Sequence, residues 1–319
     1  MKKLITPIVL IVCIILVVIV YVNQSFLVDK FTYYIENNSP VIPDEISDYY
    51  KDYSLSFAQN TDDFTPYSYQ DLINILFSAI NRGYDSFTFY CPDEYVLCRS
   101  DVEKLSADTT TITHVNNLVH PFNSFTTIMT SISELGEVNI GIDYLYDDND
   151  VRLIDEAADQ LLDELISRRD TDEEAILILH DYIINNTSYD ISINKNEESP
   201  YKSSTAYGAM FEGYAICNGY TDLMAIFLNK LDIVNIKVAT TQDEISYSNT
   251  GHVWNAVYLD DTWLHLDLTW DDPVSEDGSE YLFHTYYLLT TEEITELDNS
   301  SDVKYEEHNF NKVIYYELK

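Results

Sequence analysis

Basic residues are scarce in this sequence. Its 319 residues include 17 Lys and Arg against 55 Asp and Glu, which leaves a formal net charge of −38. This balance argues against nucleic acid as a direct partner, because such binding needs a basic surface that neutralises phosphates. Glycine and proline are also scarce, at eight residues each, which excludes collagen-like and low-complexity chains.

The sequence contains enough apolar material to form a folded core. Hydrophobic residues make up 46% of the chain and aromatic residues 13%, with 27 Tyr among them. This composition is typical of globular proteins and argues against global disorder. At about 100 to 200 residues per domain, the length allows one or two domains with an accessory segment.

The N-terminus carries a long apolar segment. Lys2 and Lys3 precede residues 4–22, a run of 19 residues without charge. As a helix this run spans roughly 28 Å, close to the ~30 Å hydrocarbon thickness of a bilayer. No cleavage signature of small residues follows, so residues 1–22 predict an uncleaved transmembrane anchor. The two lysines favour a cytoplasmic N-terminus, which places the rest of the chain on the extracellular side of a cell membrane.

Cysteine is also rare in this chain. The four cysteines are Cys13, in the predicted span, Cys91 and Cys98, which are seven residues apart, and Cys217. In an exported protein, the pair at 91 and 98 could form a disulfide, but two nearby cysteines do not make a framework. Both states of that pair therefore stay open, and Cys217 has no obvious partner.

Beyond the anchor, the pattern divides the chain into three parts. Residues 23–66 are polar and without sustained periodicity, and they predict a stalk or linker. Residues 67–148 predict a small α+β module: a helical period closed by Gly83, the alternating strand DSFTFYC and a later alternating strand EVNIGIDYLY. Residues 149–319 make up the third part.

Helices come before strands in residues 149–319. The helices predicted there are Asp150 to Arg168, capped by Asp148 or Asn149, a second opened by a Thr171–Glu174 capping box, and a third over Cys217–Lys230. The predicted strands are IKVATT, HVWNAVYL, TWLHLDLTW, HTYYLLT and NKVIYYELK. This order predicts an α+β fold and not a doubly wound sheet.

Cys217 begins the third of these helices. Unpaired N–H groups and the positive end of the helix dipole favour the thiolate form of a cysteine at this position, especially beside a protonated histidine. Such a thiolate is a nucleophile. The alternative is a buried structural cysteine, which is the more common fate of free cysteines.

Two strands near residue 260 place a histidine beside a carboxylate. Asp260 and Asp261 form a plausible two-residue hairpin loop, and pairing of Leu259 with Thr262 makes His252 and Asp267 diagonal neighbours on one face. Together with Cys217 they form a Cys-His-Asp arrangement: nucleophile, general acid and base, and orienting carboxylate. The alternative treats His252 and Asp267 as ordinary polar strand residues.

Four stretches resemble a known family: ILHDYIINNTSYD, STAYGAMFEGYAICNGYTDLMAIFLNKLDI, GHVWNAVYLDDTWLHLDLTWDDP and HTYYLLTTEEI. They cover about residues 170–295 and resemble the transglutaminase-like superfamily in its bacterial surface-protein branch. Cys217, His252 and Asp267 stand at the positions of that family's Cys, His and Asp. The resemblance implies a papain-like core, preceded here by the small module, and acyl transfer from an amide through a thioester on Cys217. Release to water would make a peptidase or deamidase, and release to an amine would make a crosslinking enzyme.

These features define two functional expectations. The first is an anchored cell-surface enzyme that acts on protein or peptide substrates and needs no cofactor. The second is a catalytically inert surface binding or scaffolding module that retains the fold. For an oxyanion hole, the backbone N–H of Cys217 is the natural first donor, and Tyr207, Tyr214 and Trp254 are weak candidates for the second.

No metal site is expected from the histidine spacing. The seven histidines form no HExxH motif and no close Cys/His ligand pattern. His180, followed by Asp181 in a predicted helix, is expected to pack or to hydrogen-bond locally.

Overall fold

The structure is a computed structural model that describes residues 40–168, 171–192, 200–240, 251–274, 281–300 and 308–319. The predicted anchor at residues 1–22 lies outside these ranges. Within them, no helix combines the length and the apolar composition that crossing a bilayer requires.

The first part of the chain builds helices against a three-stranded sheet. Helix α1 (Tyr69–Asn81) begins where the Ser68 side chain accepts a hydrogen bond from the Asp71 N–H, and it ends before Gly83, whose φ is +71°. The elements of this first part are α1 (Tyr69–Asn81), β1 (Ser86–Tyr90), α2 (Cys98–Ala107), α3 (Thr109–Leu118), a 3₁₀ turn (Pro121–Asn123), β2 (Phe125–Ile132) and β3 (Glu137–Tyr144). The strands are antiparallel in the order β1-β3-β2, and a disulfide joins Cys91 to Cys98.

The second part begins with helices, as the sequence predicts. Its first elements are α4 (Asp148–Leu165), α5 (Asp172–Asn186), β4 (Ser188–Tyr189), a π-helical turn (Gly208–Glu212), β5 (Tyr214–Ala215) and α6 (Cys217–Lys230). The short strands β4 and β5 pair in parallel. The capping box of Thr171 and Glu174 is present, whereas α4 is capped by Asp147, one residue before the predicted cap. Local capping chemistry therefore sets where these helices start.

An antiparallel sheet in the order β6-β7-β8 follows, with β6 (Asn235–Ala239), β7 (Val253–Leu259) and β8 (Thr262–Leu266). Asp260 and Asp261 form the hairpin turn with φ of +46° and +62°. Leu259 pairs with Thr262, which is the register expected from the sequence. The last elements are α7 (Leu268–Asp271), α8 (Thr291–Ser300) and a 3₁₀ turn (Tyr316–Leu318). The α+β fold class with antiparallel sheets is therefore confirmed.

Two predicted strands are wrong. The stretch HTYYLLT forms only an isolated bridge from Leu289 to His265, because the N–H groups of Thr285 and Tyr286 bond to the Asp271 carboxylate instead of a neighbouring strand. The stretch NKVIYYELK folds into local turns in which two N–H groups bond to the Asn311 carbonyl. Alternating side chains do not make a strand when the backbone has other partners.

The β6-β7-β8 sheet lies between two hydrophobic clusters. Val257 and Leu266 pack with helices α4, α5 and α6. Trp254 and Ala256, on the opposite face of β7, pack against the first part of the chain and the C-terminal segment. Residues 40–66, the described part of the predicted stalk, contribute Leu55, Ala58 and Phe64 to this second cluster.

Candidate active site

The start of helix α6 places a free thiol at a helix N-terminus. Cys217 is the first residue of the helix, is half-buried, and forms no disulfide. Its N-cap, Ile216, provides no side-chain hydrogen bond to the first turn. A Cβ on Gly219 would lie 2.5 Å from the Ser203 carbonyl oxygen. Glycine therefore allows the chain of residues 203–215 to approach this turn closely, which locates the thiol.

Side chain to backbone hydrogen bonds tie α6 to the strand that carries the histidine. Thr221 Oγ1 donates to the Val253 carbonyl at 3.1 Å, and Asn255 Nδ2 donates to the Thr221 carbonyl at 3.1 Å. Just before β7, the Thr240 N–H donates to the His252 carbonyl and the His252 N–H donates to Thr240 Oγ1, both at 3.0 Å. The backbones of α6 and β7 are therefore held in one arrangement.

A buried ion pair connects α6 to the rest of the molecule. Asp222 accepts hydrogen bonds from Lys237 Nζ at 2.8 Å and from the Tyr146 hydroxyl at 2.7 Å. Lys237 Nζ also donates to Ser124 Oγ at 2.9 Å. Because Ser124 and Tyr146 both precede helix α4, this network holds α6 against the first part of the chain.

His252 lies between the Cys217 sulfur and Asp267. Its Nε2 is 2.5 Å from Asp267 Oδ2, and its ring also hydrogen-bonds to Cys217, which leaves Nδ1 for the sulfur. Burial alone would lower the pKa of His252, but the Asp267 carboxylate and the Cys217 sulfur raise it to about 10. The protonated imidazolium is thus the favoured form at neutral pH, beside a sulfur at a helix N-terminus.

Asp267 accepts four hydrogen bonds. Its Oδ1 accepts from the N–H groups of Thr269 and Trp270 at 2.9 and 3.3 Å, so it also caps helix α7. Its Oδ2 faces His252 and His308, the latter at 2.9 Å. Burial alone would raise the pKa of Asp267, but the two histidines hold it below its usual range. Asp267 is therefore an ionised carboxylate in a buried site.

His308 is a further residue at this site that the sequence pattern does not predict. This buried histidine donates from the C-terminal segment to Asp267, and its other nitrogen lies 2.9 Å from Asp298 Oδ1. Burial alone would lower the pKa of His308, but the two carboxylates raise it. No local signal marks this contact, because 41 residues separate His308 from Asp267.

The three aromatic candidates for the oxyanion hole have other contacts. Trp254 stacks on the His252 ring with centroids 5.6 Å apart, and its Nε1 donates to His265 Nδ1 at 2.9 Å. Tyr214 stacks on Tyr201, with centroids 4.2 Å apart. Tyr207 packs under the Lys202 ammonium, which lies 4.4 Å from its ring centroid. The Trp254 N–H is thus engaged, and the backbone N–H of Cys217 remains as the donor that the geometry favours.

A cleft of about 280 Å³ opens beside His252. The first part of the chain forms one wall of the cleft through helix α3, and the loop ends around β6 and β7 form the other. Its lining residues are Thr109, Thr110, Thr113, His114, Asn116, Asn117, Asn218, Ala239, Thr240, Gly251, His252 and Val253. None of these lining residues carries a carboxylate, although the chain as a whole is strongly acidic.

One family model matches part of the chain. A family model described as the transglutaminase-like superfamily matches residues 159–268, a range that contains Cys217, His252 and Asp267. Comparison with curated proteins gives no match.

Three solved structures are similar to part of the chain. One is a TGase, at 15% identity over 49% of this chain and 48% of that chain, with a TM-score of 0.34. Another, from Cytophaga hutchinsonii, is named as a candidate cysteine protease, at 12% identity over 49% and 65% of the two chains and a TM-score of 0.29. The third is the periplasmic domain of TgpA from Pseudomonas aeruginosa bound to ethylmercury, at 15% identity over 42% and 55%, with a TM-score of 0.29. The chain therefore spans about half to two thirds of the length of these structures. On the match of the family model, residues 159–268 are a transglutaminase-like domain.

Proposed function

We propose that this chain is a membrane-anchored, extracytoplasmic thiol acyl-transfer enzyme that acts on protein or peptide amides. The observation that carries the proposal is the position of His252, whose ring contacts the Cys217 sulfur and the Asp267 carboxylate at the same time. A nucleophile, a proton carrier and an orienting carboxylate in contact are the parts that acyl transfer through a thioester requires.

The reaction begins with attack of the Cys217 thiolate on the amide carbonyl carbon. The oxygen that becomes negative is placed to accept a hydrogen bond from the backbone N–H of Cys217, at the positive end of helix α6. Collapse of the tetrahedral intermediate breaks the C–N bond, and the leaving amine takes a proton from the His252 imidazolium. A thioester on Cys217 and a neutral His252 remain.

The second half of the reaction reverses these proton transfers. Neutral His252 removes a proton from the incoming nucleophile, which attacks the thioester and expels the Cys217 thiolate. Water as the nucleophile gives a carboxylic acid, as in a peptidase or deamidase, and an amine gives a new amide, as in a crosslinking enzyme. Asp267 stays ionised throughout and stabilises the His252 imidazolium each time it forms.

The cleft beside His252 supports a neutral, polar substrate. Its hydroxyl groups, from Thr109, Thr110 and Thr113 of helix α3, can hydrogen-bond to peptide groups or to carboxamide side chains. The chain is strongly acidic elsewhere, whereas none of the described residues that line this cleft carries a carboxylate.

The cell-surface location is part of the same proposal. It is supported by the 19 uncharged residues that follow Lys2 and Lys3, a pattern typical of a transmembrane anchor with a cytoplasmic N-terminus. In that orientation the enzyme acts on proteins or peptides outside the cell.

The first test measures how fast iodoacetamide modifies each cysteine near neutral pH, by peptide mapping of the full chain. We expect rapid modification of Cys217 in the wild type, much slower modification in His252→Ala, and none at that position in the folded Cys217→Ala variant. Cys13 is the internal reference, since it lies in the predicted anchor. Equal rates at Cys217 in the wild type and in His252→Ala would contradict an activated thiolate.

The second test identifies the product. A peptide library incubated with the chain, with and without an added primary amine, is analysed by mass spectrometry for cleavage, for the mass gain of deamidation and for isopeptide bonds. Each product should be absent with Cys217→Ala. A reactive Cys217 that forms no product in any arm would favour the second candidate function, a binding or scaffolding module.

A further inference from the structure

A second group of polar side chains comes together outside the Cys217, His252 and Asp267 contacts. His180 and Asp181 are consecutive on helix α5, and His284 lies 103 residues after Asp181. Asp181 Oδ1 is 3.0 Å from His180 Nδ1 and 2.7 Å from His284 Nε2. These three atoms all lie within 4.8 Å of one another. Two imidazoles and a carboxylate thus converge on one point.

These distances are close to those between ligands of one metal ion. Bonds from Zn²⁺ to imidazole nitrogen and carboxylate oxygen are about 2.0 to 2.2 Å long, so neighbouring ligands of a tetrahedral ion lie about 3.3 Å apart. The two contacts of Asp181 are slightly shorter than this. An ion would replace the protons that His180, Asp181 and His284 now share, with small outward shifts of the three side chains.

A carboxylate behind His180 holds its ring in the required orientation. His180 Nε2 faces Asp271 Oδ2 at 3.3 Å, and both side chains are completely buried. Asp271 is in turn fixed by the N–H groups of Thr285 and Tyr286, at 2.8 and 2.9 Å. Metal-binding histidines generally donate their second ring N–H to a carboxylate or carbonyl. His180 therefore has its Nδ1 directed at Asp181 before any ion arrives.

The cluster is also open to solvent on one side. The side chains of Asp181 and His284 are 39% and 41% exposed, so an ion can enter and keep a water molecule as a further ligand. Imidazole and carboxylate donors together favour Zn²⁺, Co²⁺ and Ni²⁺, whereas Mg²⁺ and Ca²⁺ prefer sites made of oxygen alone.

We propose that His180, Asp181 and His284 bind one transition-metal ion of the Zn²⁺ class, with water at the remaining position. The ion ties the segment around His284 to helix α5. That segment continues to Tyr286, whose ring stacks on His308 with centroids 5.0 Å apart. Metal binding thus stiffens the side of the protein that supports Asp267.

The test is calorimetric titration of the purified full chain with ZnCl₂ in excess Mg²⁺, which occupies weak carboxylate sites. The chain carries Cys217→Ala, so that no free thiolate at α6 competes for the ion. We expect one equivalent of Zn²⁺ to bind. Losing only the hydrogen-bond partner of a metal ligand typically weakens binding by about 10- to 100-fold. His284→Gln and Asp181→Asn each remove a ligand itself, so each should weaken binding by more than this. Asp163→Asn is the matched control, since it removes one exposed carboxylate from helix α4 and should bind as its parent does.

Two further measurements make the assignment specific. Co²⁺ bound to the wild-type chain should absorb without a sulfur-to-cobalt charge-transfer band, because the proposed ligands contain no sulfur. Zn²⁺ should raise the melting temperature of the chain with Cys217→Ala and leave that of the chain with added His284→Gln unchanged.

Three results would overturn the inference. One is the absence of binding in the parent, and another is equal affinity in the parent and in His284→Gln. The third is binding that survives His284→Gln and disappears in His308→Gln, which would place the ion on His252, Asp267 and His308. None of these outcomes bears on the reactivity of Cys217, which is measured separately by alkylation.

Discussion

Replacing Asp267 with Asn removes the charge that keeps His252 protonated and changes the size of the side chain very little. In the wild type the pKa of His252 is raised from 6.5 to about 10, against a burial effect that lowers it. With the carboxylate gone, burial remains, so the pKa of His252 should fall to 6.5 or below. The expected change is therefore at least about 3.5 pH units.

This change is large enough to decide the ionic state of the site. At about 1.36 kcal/mol per pH unit, it corresponds to about 5 kcal/mol of preference for the imidazolium. Because the pKa is higher in the folded chain, the stabilisation from protonated His252 is fully present below pH 6.5 and is lost as the pH rises through about 10. The wild type should lose this contribution over that range, and Asp267→Asn should not.

Two assays follow the change directly. Nuclear magnetic resonance of the imidazole protons should give a His252 midpoint of about 10 in the wild type and one below 6.5 in Asp267→Asn. Iodoacetamide should modify Cys217 faster in the wild type than in Asp267→Asn at neutral pH, because the variant lacks the imidazolium beside the sulfur. Asp163→Asn is the control, because it removes one exposed carboxylate from helix α4. A His252 midpoint that moves by less than about one unit in Asp267→Asn would refute the reasoning.

Three other substitutions test the support of the site. His308→Phe removes a donor from Asp267 and should lower the free energy of unfolding by about 1.5 to 3 kcal/mol while raising the His252 midpoint; an unmoved midpoint would leave His308 a purely structural role. Gly219→Ala should cost about 1 to 3 kcal/mol and slow alkylation at α6, because its Cβ meets a backbone carbonyl at 2.5 Å; unchanged alkylation would contradict this. Lys237→Met leaves Asp222 buried without its cation and should cost about 3 to 5 kcal/mol in denaturant unfolding, most of which the added change Asp222→Leu should restore.

Local patterns were sufficient to predict four of the eight helices in the described residues and the central hairpin. Helices α1, α5 and α6 follow from 3.6-residue periodicity together with caps or glycine at their ends, which act within one turn. The register of β7 and β8 follows from the two-residue turn at Asp260 and Asp261, since the turn leaves only one pairing. His252 and Asp267 lie just beyond the paired residues, at the open end of this hairpin, where their side chains meet.

The same local reasoning failed where the backbone found distant partners. Residues 284–290 alternate like a strand, yet the Asp271 carboxylate takes two of their N–H groups. In the C-terminal segment, the Tyr315 hydroxyl accepts from the Ala239 N–H at the end of β6. Alternation predicts which side chains are apolar and does not identify the partner of each N–H group.

The sequence by itself determined that a thiol begins a helix and that a two-residue turn brings a histidine and a carboxylate to the same end of a hairpin, because both depend on bonds between residues close in the chain. Only the tertiary structure decided that Cys217 meets His252, that His308 bonds to Asp267, and that His284 joins His180 and Asp181. These contacts connect residues 35 to 104 positions apart, and they depend on how α6, the sheet and the C-terminal segment pack. Packing is set by the sum of many weak contacts across the whole core, and no local pattern encodes that sum.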